Sequence, residues 1–436
     1  MPKTASEAIR SSPLSAAPAP EAPADLRGVQ DFWRMARLSV GYLGIGFACA
    51  IELGQMSPIL ESLGSDPRLT GLIWCAGPFS GLVIQPLSGL LSDASQSVFG
   101  RRRPFMLLGM LAMALSLALM PHCTGLWMAA LLLWGIEGGN NFNQGAYRPL
   151  VPDRIAPMQQ TLVFSMMGFA MGLGFVLGFL TAFLWPNPSV LFELGAVALL
   201  LCMGVTILAT PEYESATAQK SARRVSFWDQ IRQVGKLPRE GLKLCLVNSL
   251  TWFAINGLFF FFSLYVPHHV FGAASPGSAA YRHGVQWASL GYAVLNTTCF
   301  VFSAFISRLC ARFSKKAVHT LGLLCMGGAF CAMPWIHDPG ALLWAMALMG
   351  IGWGTVVSVP YAWFSQYLSA GKEGAMMGVF NMFVAGPGLF SSLVLGQIVL
   401  WMGNDVAAAM GVAGVSVLLS ALLLQGVAER KPAAAE

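Results

Sequence analysis

A chain of 436 residues that is 56% hydrophobic and 11% charged falls outside the soluble globular class, where about 25% of residues are charged. With a mean hydropathy of +0.62 and no polar stretch long enough to fold alone, a separate soluble domain is excluded. The net charge of +6 follows the membrane topology described below and does not mark a nucleic-acid surface.

Residues 1–30, rich in Ala, Pro and Ser, read as a disordered cytoplasmic tail. They lack the basic start, apolar run and cleavage site of a signal peptide. Runs of 18 or more mostly apolar residues then recur to the end of the chain, each close to the ~20 that cross a bilayer. They predict helices over 37–60, 69–92, 104–121, 125–148, 159–184 and 188–209, and again over 242–266, 284–308, 317–335, 340–362, 374–400 and 405–427. The fold class is therefore an all-α membrane protein with twelve transmembrane helices, six in a half at 31–209 and six in a half at 242–428, followed by a short cytoplasmic tail at 429–436. Between the halves, 210–241 carries Lys220, Arg223, Arg224, Arg232, Lys236 and Arg239. There Phe227, Trp228, Ile231 and Val234 recur at helical spacing, which suits either an amphipathic helix on the inner membrane surface or an unstructured linker.

Placing the amino terminus in the cytoplasm puts every one of the 26 Lys and Arg residues except Arg68 and Arg282 on the cytoplasmic side. That asymmetry is the positive-inside rule, and it puts both termini inside. Nine cysteines lie scattered, mostly within spans, without a CxxC pair or metal-ligand spacing, and read as packing residues. No metal or bound cofactor is expected. Five of the six histidines (His122, His268, His269, His283 and His337) fall near the outer face, either as a pH sensor or as ordinary surface residues.

The halves read as repeats. FGRRRPF from Phe99 returns as FSKKAVH from Phe313, an offset of 214, and SMMGF at 165–169 returns as AMMGV at 375–379, an offset of 210. Parallel six-helix repeats are a transporter plan, with the substrate held between them near the midplane. GLLSDASQSVFGRRRPF sets Gly89 and Asp93 at the inner end of the second span, and Gly100, Arg101, Arg102 and Arg103 before the third. A carboxylate there can accept charge-assisted guanidinium hydrogen bonds and latch the cytoplasmic helix ends. The arginines can equally serve only to anchor topology.

The Gly89–Asp93 spacing and the arginine cluster resemble the loop signature of the major facilitator superfamily. IWCAGPFSGLVIQPLSGLLSD running into FGRRRPF, together with NNFNQGAYRPLVPD, resembles the plant sucrose:proton symporters, their animal relatives and similar bacterial sugar carriers. These sit in or beside the glycoside–pentoside–hexuronide:cation symporters, and VPHHVFGA near 266–273 looks like the bacterial members. The resemblance covers 32–428. It implies a twelve-helix facilitator fold and proton-coupled uptake of a disaccharide or related glycoside. A monomer in a bacterial inner membrane, with the proton as its coupling ion, is expected.

The segment 134–148, WGIEGGNNFNQGAYR, stands out in so apolar a chain. At ~1.5 Å per residue, Glu137 lies ~18 Å below the outer end of the fourth span. A charge so close to mid-bilayer costs about 2.5–3.5 kcal/mol on insertion scales. A carboxyl at that depth can exchange protonated and ionised forms as water access changes, which a proton carrier needs. At ~100° per residue, Glu137, Asn140, Asn141, Gln144 and Arg148 share an arc of about 100°, and Asn143 falls outside it. Such a face lines a cavity or hydrogen-bonds between packed helices. An acid at its deepest point favours the cavity. By the resemblance, plant sucrose symporters carry an aspartate, their proposed proton site, where this chain has Glu137. Glu52, about fifteen residues into the first span, is open to three roles: second proton site, acceptor of sugar hydroxyls, or partner of Arg148. Plant relatives usually have glutamine there and animal relatives often glutamate. Gln55 lies one turn further on the same face.

The second half has no midspan acid between 242 and 427. It offers Asn256, Tyr292, Asn296, Trp353, Tyr361 and Asn381, amides and aromatics that suit sugar hydroxyls and ring faces. Each is also an ordinary packing or interfacial residue type. Gly168, Gly172, Gly174 and Gly178 permit close packing of the fifth span. Gly386, Pro387 and Gly388 are expected to bend the eleventh. The residues thus suit a secondary active symporter working by alternating access. A proton-coupled exporter or antiporter of another small solute, or a non-transporting sensor or assembly factor on the same fold, are the alternatives. No nucleophile motif, catalytic carboxylate pair or metal spacing supports an enzyme.

Overall fold

The computed structural model describes residues 24–155, 157–210, 237–367 and 373–429. Most of 210–241, including the expected amphipathic helix, lies outside the described residues, as do residues 1–23. A helix, α1 (Ala24–Ser39), begins inside the stretch whose composition suggested a disordered tail.

The remaining helices follow the predicted spans. They are α2 (Gly41–Ser62), α3 (Pro67–Trp74), α4 (Ala76–Phe79), α5 (Gln85–Ala94), α6 (Arg103–Leu119), α7 (Leu126–Arg154), α8 (Pro157–Leu184) and α9 (Pro188–Ala209). In the second half come α10 (Arg239–Tyr265), α11 (Ala279–Phe313), α12 (Lys315–Ala332), α13 (Pro339–Val356), α14 (Val359–Phe364), α15 (Glu373–Trp401) and α16 (Val406–Leu424). Several starts are written in the sequence as an Asp or Asn followed by Pro. Asp66 caps α3 by accepting from the Leu69 N–H, Asn187 caps α9, and Asp338 caps α13. The side chain satisfies an orphan N–H, and the proline supplies the first helical φ at no hydrogen-bond cost.

Among the described residues, ten helices are long and apolar enough to cross a membrane. Two predicted spans do not qualify, each for a visible reason. The second is broken into α3, α4, a π-helical turn at Ser80–Ile84 and α5. The fourth is one helix of 29 residues, α7, whose apolar run is interrupted by the polar face. The predicted weak point at Pro387 does not end a helix, because α15 runs through it.

In the first half α2 packs on α8 and α9, α6 on α7 and α9, and α5 on α7. In the second, α10 packs on α15 and α16, α12 on α13 and α16, and α11 on α13. The halves meet along α8–α11, α3–α15 and α2–α10. Glycine permits the tightest crossings: a Cβ at Gly139 of α7 would lie 2.6 Å from the Met113 N of α6, and one at Gly174 of α8 would collide with the Leu43 O of α2. Of the four predicted packing glycines in α8, Gly174 and Gly178 press on α2, Gly172 has only Phe300 nearby, and Gly168 has nothing within 4 Å.

Candidate functional site

The polar face of α7 is hydrogen-bonded along its length. Arg148 donates from Nη2 to Gln144 Oε1 at 2.8 Å, and Gln144 donates to Asn140 Oδ1 at 3.0 Å. Asn140 in turn reaches Cys49 Sγ on α2 at 3.7 Å. Residues four apart stack on one helix face, so this ladder follows directly from the spacing 140, 144, 148. At its lower end Arg148 also donates from Nε to Tyr42 Oη at 3.3 Å, and it lies within electrostatic range of Tyr361 in the other half. Arg148 is exposed, whereas Asn140 and Gln144 are buried.

Glu137 stands at the deep end of this face and is half-buried. Asn141 Nδ2 donates to the Glu137 carbonyl at 3.0 Å and approaches its Oε2 at 3.4 Å. Glu52 of α2 interacts electrostatically with Glu137 but is more enclosed, at 2% exposure. Among the described residues its Oε1 has no hydrogen-bond partner. Arg148 is bonded to Gln144 and Tyr42, so the option that Glu52 partners it is not realised in this conformation. Gln55 is buried beside Glu52 on α2.

Asn143, set apart by the wheel, donates instead to the Met106 O of α6 at 2.8 Å. It is interhelical glue. Asn143→Ala is expected to lower thermal stability by about 0.6–1.7 kcal/mol, the range for such bonds in membranes, without altering substrate affinity. Unfolding midpoints and binding measured on one preparation check this.

The second-half candidates are spread out. Asn256 donates to the Trp252 O at 2.7 Å, and its Oδ1 faces Gly388 of α15. Trp353 meets Trp252 edge-on at 5.6 Å and Phe259 at 5.9 Å, an aromatic corner beside an apolar cleft lined by Ile255, Leu258 and Leu295. Asn296 donates to its own helix at the Tyr292 O, Tyr361 packs against Phe380, and Asn381 is exposed. Tyr292 is buried and donates to the Leu258 O while stacking on Phe179 of the first half, which makes it part of the contact between halves.

At the arginine end, Arg102 is the hub. Its Nη2 pairs with Asp93 Oδ1 at 2.6 Å, its Nε with Asp153 Oδ2 at 3.0 Å, and its Nη1 donates to Ser92 at 2.7 Å. Arg101 joins the same Asp153 oxygen at 2.6 Å, and Arg103 opens α6. Gly100 turns the loop with φ +102°, and a Cβ at Gly89 would rest 3.4 Å from the Gly145 O of α7. These described contacts tie α5, the loop and α7 within the first half. Asp153 was missed as a site residue, although RPLVPD places an acid at the same membrane level as the arginines, a signal available from charge complementarity alone.

The opposite end holds a cluster that only the structure brings together. Glu61 of α2 pairs with His268 Nε2 at 2.6 Å and accepts from Tyr281 Oη, joining the two halves. Ser57 donates to the Phe260 O at 2.7 Å and accepts from Trp74 Nε1 at 2.8 Å. Cys75 bonds to Ser392 at 2.8 Å. The partners lie some 200 to 320 positions apart in sequence, between Glu61 and His268 and between Cys75 and Ser392, so no local pattern announces them.

Residues 38–392 match the pattern of the Major Facilitator Superfamily. A sucrose transport protein of rice (SUT5, Oryza sativa subsp. indica) is 25% identical, across 91% of this chain and 88% of its own length. A sucrose transport protein of Arabidopsis thaliana (SUC4) is 25% identical across 85% of each chain. The general alpha-glucoside permease of Schizosaccharomyces pombe is 29% identical across 52% of this chain and 47% of its own. Among solved structures, the nucleoside transporter NupG superimposes with a TM-score of 0.70 at 15% identity, covering 91% of this chain and 98% of its own. A bacterial homologue of the lysosomal transporter Spinster gives 0.68 at 14% identity, covering 93% and 99%. The chain belongs to the major facilitator superfamily, as a membrane transporter and not an enzyme.

Proposed function

We propose that the protein is a proton-coupled symporter of a disaccharide or related glycoside, built of twelve spans in two six-helix halves with both termini cytoplasmic. One observation carries the reading. A half-buried acid, Glu137, ends a hydrogen-bonded polar face that leads down to an exposed arginine opposite the other half. The face offers amides and a guanidinium to sugar hydroxyls, and the acid offers a titratable site in a place where a permanent charge is costly. The sucrose and alpha-glucoside relatives support the substrate class. Radiolabelled sucrose and maltose should accumulate in cells or vesicles, and a protonophore should abolish the accumulation. Accumulation that survives the protonophore would overturn proton coupling.

The bonds between halves described above gather at the Glu61 end, and Arg148 is exposed towards the other. By the positive-inside orientation this is a conformation closed to the outside and reached from the cytoplasm. Cys75, buried in that closure against Ser392, is a native reporter. Glu61→Ala removes the link to His268 and Tyr281, so a membrane-impermeant maleimide added outside should label Cys75 about tenfold faster, the change that 1.4 kcal/mol brings to an opening equilibrium. A Cys75→Ser control assigns the label.

A further inference from the structure

We infer that Gly77 and Pro78 form a positioning wedge that carries the state of the Glu137 carboxyl into the second half of the protein. The inference rests on the reading of Glu137 as the proton site. A Cβ built on Gly77 would lie 2.9 Å from Oε1, 3.2 Å from Cδ and 3.4 Å from Oε2 of Glu137. Its three nearest contacts are thus all carboxyl atoms, and the acid rests directly on the bare backbone of the second span. One turn on, a Cβ at Gly81 would meet Asn141 Oδ1 at 3.6 Å, so the segment 77–81 runs along 137–141.

The next residue, Pro78, faces the other half. A Cβ at Gly388 of α15 would meet Pro78 Cγ at 2.7 Å and Asn256 Oδ1 of α10 at 3.1 Å. Glu137, Gly77–Pro78, Gly388 and Asn256 therefore form one continuous line of contact through four helices, two from each half. Gly388 directly follows Pro387, the proline inside α15.

The backbone is irregular at this crossing. α4 is a four-residue piece between the Cys75 turn and the π-helical turn, and such turns gather at functional sites. Ser80, fully buried in the π turn, leaves its Oγ without a partner among the described residues. A short piece of helix between two irregular joints can shift as a unit. When Glu137 gains or loses a proton its charge and hydrogen bonding change, and no side chain at position 77 absorbs the displacement. The rigid proline ring then transmits it to Gly388.

The test uses the full-length protein in proteoliposomes with radiolabelled sucrose. Gly77→Ala should lower the proton-driven accumulation ratio by at least about fivefold, while counterflow without a gradient falls by less than about twofold. Adding Glu137→Asp, one methylene shorter, should restore at least about half of the lost ratio relative to Glu137→Asp alone. Pro78→Ala, which alters the contact with Gly388, should lower the ratio in the same direction without rescue by Glu137→Asp. It carries the test if Gly77→Ala fails to reach the membrane. Unchanged accumulation, or equal loss of accumulation and counterflow with no rescue, overturns the wedge. Retained accumulation in Glu137→Gln would instead overturn the proton-site reading beneath it.

Discussion

Glu137→Gln should leave a carrier that exchanges sugar but no longer concentrates it. The amide keeps the shape and polarity of the side chain, so Asn141 and the surface at Gly77 still have a partner to pack on. On the proposed mechanism, what it removes is the ability to hold a proton on one side and release it on the other. A gradient of one pH unit is worth about 1.4 kcal/mol per proton, which supports about a tenfold accumulation at one proton per sugar. In the variant the ratio should fall to about one at the same gradient, with counterflow continuing. Both rates come from one proteoliposome preparation, so expression differences cancel.

Arg102→Ala should be the most damaging change for stability. The guanidinium is buried and binds Asp93, Asp153 and Ser92 at once. Its loss strips Asp93 of the cation it pairs with, while Asp153 keeps Arg101. Both acids can still reach water, so the cost is about 2–3 kcal/mol and not the full penalty of a sealed pair. Lower yield in the membrane and a lower unfolding midpoint in detergent are the readouts. Arg102→Lys should recover less than about half of the loss, because an ammonium cannot match the planar fork that reaches Asp93, Asp153 and Ser92 together. Full recovery with lysine would reduce the cluster to a simple topology anchor.

Much of this architecture was legible in the sequence because lipid imposes a simple rule: apolar runs of spanning length become helices. Helix starts such as Asp66-Pro67 and Asp338-Pro339 mark themselves. Hydropathy weakens where polar residues or irregular backbone interrupt it. α7 carries Glu137 and its amides at the expense of apolar residues, and the second span breaks at α4 and the π turn beside that same acid. The wheel found the polar face because residues 140, 144 and 148 are local neighbours, and the hydrogen-bond ladder follows that spacing. It also separated Asn143, which turned to α6. Contacts across long sequence distances were not legible. Glu61 with His268, and Gly77 against Glu137, depend on how helices cross. The second half was harder still, since Asn296 and Tyr292 have the chemistry of sugar ligands yet spend it on neighbouring carbonyls.

The proposed coupling of sugar and proton through Glu137 is tested most directly by internal pH. Proteoliposomes holding a pH-sensitive dye receive sucrose or maltose from outside with no imposed gradient. The wild-type protein should acidify the interior on sugar addition, and Glu137→Gln should take up sugar with no acidification. Sugar entry without proton movement in the wild type, or undiminished acidification in Glu137→Gln, would contradict that coupling.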